Sequence, residues 1–252
     1  MKKISFGLAL LIAVVWLPVY AGHTVSYVVA VPAFNEIHAG GHGNVVILGS
    51  RRSTQPRVTM TAVSSTSSRP QVHVSQGVLY LLGSAAASRS TVVVRTPDLQ
   101  KLVVGGSVHV TGTLQPLHAL SITAAGSGTV VLNGVVRLHR VQQSGNSVVH
   151  IRWVNSDVLL LEGQGHSRME LAGVAKRLYA RLTDDAVLHA QYLRTQAVQV
   201  QTKNHAIAHV CPIDALRAFA SQGSRIYYYK FPIDILRYTT QSGSVLQMAW
   251  NE

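Results

Sequence analysis

The chain has 252 residues, 47% hydrophobic but only 6% aromatic, with 13% charged residues and a formal net charge of +12. So much apolar content beside so little charge excludes a disordered chain, and a single cysteine, Cys211, excludes an intrachain disulfide and reads as a buried free thiol. Val, Leu, Ala and Ile must build the core in small aliphatic layers, leaving Ser, Thr, Gln, Asn and Gly to supply most of the polar surface.

Residues 1–21 read as a secretory leader. Lys2-Lys3 form a charged start, Ile4 to Trp16 is an apolar run, Pro18 ends it, and Val19-Tyr20-Ala21 places small residues where a signal peptidase reads. Cleavage is expected after Ala21. The run is short of the roughly 20 residues of a spanning helix, and no later segment looks transmembrane, so the mature chain is expected to be exported to the periplasm or the cell exterior. Without Lys2 and Lys3 it keeps +10 of the +12.

Residues 22–104 alternate apolar and polar positions in short runs bounded by turn residues. Strands are expected at Asn44–Leu48, Arg57–Ala62, Val72–Ser75, Val78–Leu82 and Thr91–Arg95, with loops at Ser64–Arg69 and Ser84–Ser90. Gly40-Gly41-His42-Gly43 reads as a flexible turn between strands. It lacks the Lys-Ser/Thr end of a phosphate loop. This strand-rich N-terminal part is expected to cap the rest of the chain.

Residues 105–252 repeat. Corner-forming residues recur at Gly126, Gly145, Gly165, Asp184, Asn204, Gln222 and Ser242, in steps of 19, 20, 19, 20, 18 and 20. A second column, Val135, Val154, Val174, Leu193, Ile213 and Ile233, keeps the same period. Pro212-Ile213-Asp214-Ala215-Leu216-Arg217 and Pro232-Ile233-Asp234-Ile235-Leu236-Arg237 are near copies. Units this short cannot bury an apolar face alone and are too short for helical repeats, so they must stack, each strand pairing with its equivalent one turn away. The expected fold is all-β, a parallel β-helix (solenoid) of about 20 residues per coil rising about 4.8 Å per coil. Glycine at the corners supplies a positive φ. Trp250 is expected to help cover the C-terminal end.

The opening Phe34-x-x-Ile37 with Gly41-His42-Gly43-Asn44-Val45-Val46-Ile47 carries a family likeness. So does Val92-Val93-Val94-Arg95-Thr96-Pro97-Asp98-Leu99-x-x-Leu102 before Gly105-Gly106-Ser107, as do the recurring Gly-Ser-Gly corners. The chain resembles the head GIN domain of putative auto-transporter adhesins, exported bacterial proteins, over most of residues 31–250. The resemblance implies a right-handed β-helix and brings no catalytic residues. Asp184-Asp185 and Asn204-His205 depart from its Gly-rich corners, so turns of a different shape are expected there.

The repeat register places His150, Glu170, His189, His209, Tyr227 and Gln247 in one outward column. The plain reading is a solvent-facing strip. The sharper one is a divalent transition-metal site of His150, Glu170 and His189, with His209 as an extra ligand, although a flat ladder converges poorly on one ion. Stacked imidazoles repel when charged, which predicts lower stability below about pH 6. Asp214/Arg217 and Asp234/Arg237 read as a surface ion ladder.

A basic surface attracts phosphates, acidic glycans, nucleic acid or anionic lipid. The arginines are scattered, with no block beyond Arg51-Arg52 and Lys176-Arg177, which speaks against specific nucleic-acid binding. The expected function is non-enzymatic binding or a structural role, with an acidic glycan or cell-surface polymer as ligand and no cofactor. The alternative is a polysaccharide-acting enzyme on the same scaffold. Ten acidic residues with Asp184-Asp185 as the sole adjacent pair, and no nucleophile motif, weigh against it. Self-association through the ends of the solenoid is a third reading.

Overall fold

A computed structural model describes residues 24–49, 56–63, 71–83, 91–114 and 118–249. The leader and Ala21, the loops Ser64–Arg69 and Ser84–Ser90, and Trp250 lie outside the described residues.

Among the described residues every regular element is a strand. The N-terminal set is β1 (Thr24–Ala30), β2 (Glu36–Gly49), β3 (Arg57–Val63), β4 (Gln71–Ser75), β5 (Val78–Gly83) and β6 (Thr91–Thr96). Next come β7 (Lys101–Val104), β8 (Ser107–Thr113), β9 (Leu120–Ala124), β10 (Thr129–Asn133) and β11 (Leu138–Gln143). Four long strands come after these, β12 (Val148–Gly163), β13 (Arg168–Leu182), β14 (Val187–Thr202) and β15 (Ile207–Ser221), then β16 (Arg225–Tyr229), β17 (Asp234–Thr240) and β18 (Ser244–Met248). The five strands expected between Asn44 and Arg95 all fall inside these bounds.

From β2 to β18 the stacked strands pair in parallel, and the partners lie about 20 residues apart in the regular coils. Each coil has a side just after the corner (side A), a short side, and a side that leads into the next corner (side C). On side A the pairing runs β6–β2–β8–β10–β12–β13–β14–β15–β16–β18. On side C it runs β5–β2–β7–β9–β11–β12–β13–β14–β15–β17. The chain is a parallel β-solenoid.

The stack does not keep chain order at its start. The first part of β2 lies between β5 and β7, and its last part between β6 and β8, so the coil made by β5 and β6 is folded outside an earlier segment. Antiparallel strands close this end: β3 on β6, β1 on β3, and β4 on β5. Antiparallel pairing ends a parallel ladder and covers an edge that would otherwise recruit another chain. The Gly40–Gly43 segment is a turn, as expected, but one built into a continuous strand. It lies within the single run of β2, with positive φ at Gly41 and Gly43, and forms the corner between sides C and A.

Alternation decides which residues go inward. Side A buries Val130, Leu132, Val149, Ile151, Met169, Leu171, Leu188 and Val210, and side C buries Ile122, Val141, Leu161, Leu178, Val200 and Leu216. Each fully buried aliphatic side chain contributes about 1.5–3 kcal/mol, well above the ~0–1 kcal/mol of an exposed ion pair. The inward columns, not the outward ones, hold the coils together.

All seven expected corner residues have positive φ: Gly126 (82°), Gly145 (73°), Gly165 (72°), Asp184 (63°), Asn204 (62°), Gln222 (55°) and Ser242 (64°). The expectation of differently shaped turns at Asp184 and Asn204 is corrected, because Asp and Asn are among the L-residues that tolerate the left-handed region. Glycine is required at the earlier corners, because a β-carbon on Gly126 would lie 2.8 Å from the Gly106 carbonyl oxygen and on Gly165 3.1 Å from that of Gly145. Asp184 accepts a hydrogen bond from the Asn204 amide at 2.8 Å.

The second predicted column does not survive on the short side. Val136 bridges Val154, and Val154 and Leu193 both pair with Gly173. Val136, Val154 and Leu193 are buried, whereas Val135 and Val174 are exposed and Ile233 is 91% exposed. Bulges between Ile151 and Val154 and between Glu170 and Ala172 shift the register, so the period persists while the facing alternates.

The last coil slips too. Asp234 pairs with Ala215 and Arg237 with Ala218, so the expected Asp214/Asp234 and Arg217/Arg237 columns do not form. Likewise Leu246, not Gln247, pairs with Tyr227. The coil step here is one residue shorter than the sequence copies suggest, and it turns Arg237 toward the end of the core.

Gly126→Ala is expected to cost about 1–3 kcal/mol in chemical denaturation, from left-handed strain and the close Gly106 carbonyl. Gly105→Ala, which meets nothing within 4 Å, should stay within about 0.5 kcal/mol. Equal losses for both would contradict the corner packing.

Candidate functional site

The outward column of side A forms as expected through its first five members. His150 pairs with Glu170, Glu170 with His189, His189 with His209, and His209 with Tyr227. Each side chain sits over its neighbour because alternation sends the flanking apolar residues inward.

The column divides into two halves of different chemistry. In the first, His150 Nδ1 and Glu170 Oε2 are 2.7 Å apart, and Arg152 Nε donates to His150 Nε2 at 3.3 Å. In the second, the rings stack: His189 on His209 at 5.3 Å between centroids, and His209 on Tyr227 at 4.8 Å, each within about 25° of parallel. His209 Nδ1 also lies 3.1 Å from the Tyr229 hydroxyl. The expected ligands His150, Glu170, His189 and His209 thus share one register as a line of pairs. Among the described residues, no group of three or more His, Cys, Asp or Glu side chains is gathered so as to hold a metal ion.

Burial lowers the His189 imidazole pKa, Glu170 pulls it back up, and Arg168 pushes it down further. Burial likewise lowers His209, and the neighbouring His189 adds to the effect. Desolvation, rather than the like-charge repulsion expected from sequence, is the leading cause. Cys211 is buried, as expected, and burial raises its thiol pKa.

A second histidine strip lies at the corners. His166 and His205 flank Asp185, with Nδ1–Oδ distances of 3.5 and 3.7 Å. Four further acidic groups are paired. Glu36 meets Lys101 and His38, Asp98 meets His118, Asp157 meets Lys176, and Glu162 meets Arg140. Arg168, Arg181, Lys203, Arg217 and Arg225 have no carboxylate within 4 Å among the described residues. Among the described residues, most of the guanidinium charge therefore has no carboxylate counter-charge within 4 Å.

Sequence reasoning missed a trough on side C, beside the corners. An outward column there runs Thr123, Gln142, Glu162, Arg181, Gln201, Phe219 and Tyr238, paired coil by coil. Two adjoining hollows of about 610 and 460 Å³ lie along it and share Arg181 and Thr183. The same 18–20 residue spacing would have exposed this column. Its members differ in chemistry, so no repeated letter drew attention to it.

A family model described as "Putative auto-transporter adhesin, head GIN domain" matches residues 33–232. Among solved structures, a putative adhesin from Parabacteroides distasonis superposes with a TM-score of 0.80 at 18% identity, covering 90% of this chain and 98% of that one. A putative adhesin from Parabacteroides merdae gives 0.79 at 19% identity, with 90% and 97% covered. A structure described as a putative lipid binding protein from P. distasonis gives 0.78 at 16% identity, with 90% and 97% covered. At these identities the likeness concerns the fold. No curated protein sequence matches the chain.

A lowered folded-state pKa means that the unfolded chain takes up protons first as pH falls. The stability due to neutral His189 and His209 is complete above about pH 6.5 and is lost on acidification below it. Thermal melts should show Tm dropping between about pH 7 and pH 5, and His209→Gln should flatten part of that slope. A wild-type Tm that stays level across the range would contradict the coupling.

Proposed function

Because the chain belongs to the head GIN domain family of putative auto-transporter adhesins, we propose that it is an exported, non-enzymatic binding protein for an acidic glycan or cell-surface polymer. One observation carries the reading. Among the described residues six acidic side chains form ion pairs, four of them with histidine, while arginines on both long sides stand without a carboxylate partner. Such a surface draws anionic polymers, and its attraction weakens as salt screens it.

The solenoid suits an extended ligand. Each coil repeats the same backbone path, so chemically useful side chains recur along a line instead of converging on one point. Turnover of a polysaccharide calls for a positioned acid and base. Here Glu162 is engaged by Arg140 at 2.6 Å and by Gln142 at 2.8 Å, and Glu170 by His150, an arrangement that favours retention of a ligand over its cleavage.

The purified protein on an array of uronate, sulfated and neutral glycans should retain the acidic ones, lose them as salt rises, and release no shorter oligosaccharide. Equal retention of neutral glycans would refute the charge-based reading. Appearance of unsaturated or shortened products would move the assignment to the enzyme alternative.

A further inference from the structure

We infer that the trough on side C is the binding site, and that it holds a linear acidic polysaccharide lying along the solenoid axis. The inference rests on the acidic-glycan reading above and adds the place, the orientation and the residue roles. The trough runs beside the corner column, and its sides are built by every coil from Thr123 to Tyr238. Those coils span six steps of about 4.8 Å, roughly 29 Å in all. One step is close to the length that a single pyranose adds to an extended chain, so successive sugars meet equivalent positions on successive coils.

The chemistry changes along the line in a way that fits sugars. At the C-terminal end, Phe219 and Tyr238 come from adjacent coils with ring centroids 6.4 Å apart. Tyr238 is 60% exposed and Phe219 is half-buried. They offer apolar faces to the C–H faces of sugar rings. In the middle, Arg181 and Lys203 are exposed and have no carboxylate within 4 Å among the described residues. They meet ligand carboxylates or sulfates through charge-assisted hydrogen bonds. Gln142, Gln201 and Thr123 supply amides and a hydroxyl that both donate and accept, as sugar hydroxyls require.

Glu162 narrows the ligand further. Its carboxylate stands in the same column, held by Arg140 and Gln142, and its oxygens keep lone pairs for further hydrogen bonds. It accepts hydrogen bonds from sugar hydroxyls but repels a phosphodiester backbone that carries a charge at every unit. The trough is also open along its length, without the enclosed volume that a lipid chain fills. A hydroxyl-rich, intermittently charged polymer fits these residues better than a nucleic acid or a lipid does.

The test is calorimetric titration of the full protein with hyaluronan oligosaccharides of increasing length, which carry a carboxylate on every second sugar. Affinity should rise with length and level off near about six sugar units. The paired variant Arg181→Gln/Lys203→Gln should weaken binding about tenfold or more, and Tyr238→Ala should also weaken it. Arg168→Gln/Arg225→Gln removes the same charge from side A and should change affinity less than about twofold. All substituted side chains are exposed, and unchanged thermal melts establish that each variant folds. Equal weakening by both charge pairs would show that net charge, not the trough, holds the polymer. That result overturns the site and leaves the acidic-glycan reading standing. No binding of any acidic oligosaccharide by the wild type overturns both. Tighter capture of phosphatidylglycerol vesicles or single-stranded DNA, displacing the oligosaccharide, overturns the ligand class.

Discussion

Backbone hydrogen bonding between equivalent strands of successive coils fixes nearly everything else in this molecule. Once β12, β13, β14 and β15 pair in parallel over most of their length, each position is tied to one position a coil above and one below. A side chain's neighbours are then set by counting about 20 residues, and its direction by strand alternation. The aliphatic columns that result supply the stability, because each buried layer contributes more than any outward pair can. The same bonding leaves an open edge at each end. Antiparallel β1, β3 and β4 cover the N-terminal edge, whereas among the described residues β17 and β18 form the last rungs of their ladders, with Leu236, Tyr238, Leu246 and Met248 exposed.

A ladder imposes its own chemistry. Side chains spaced by one coil interact as neighbours in a line, which suits stacking and pairing and resists convergence. His189, His209 and Tyr227 stack, and His150 pairs with Glu170, yet four groups with ligating atoms do not gather around one centre. The geometry that disfavours a compact metal or catalytic centre also presents evenly spaced groups over a long distance. Such spacing suits an extended ligand, and the unpartnered arginines are the ground on which we propose that this ligand is anionic.

The corners show how spacing and residue choice inform each other. Glycine holds the corner where the preceding carbonyl lies close beneath it, and Asp184 and Asn204 adopt the same left-handed corner in the following coils. Their side chains link to each other. What looks in the sequence like a departure from the glycine pattern is the same turn, made by residues that tolerate the left-handed region.

Residues 126–229 were legible because their period is written twice, in the corner residues and in the inward aliphatic positions, and both express one backbone repeat. The His150–Tyr227 column came from that arithmetic. Three features did not. The insertion of β2 between β5/β6 and β7/β8 depends on which strands pair across a non-sequential order, and alternation alone is the same for any order. The short side slips by bulges of a residue or more, so Val135 and Val174 face outward where the period alone puts them in line with buried Val154. The trough joins Glu162, Arg181, Gln201, Phe219 and Tyr238, residues alike only in position. The sequence determined the repeat, because a repeated path must reuse corner and core residues. Only the tertiary structure decided strand order, facing on the short side and the shape of the surface, because each depends on contacts between coils that carry no local signature.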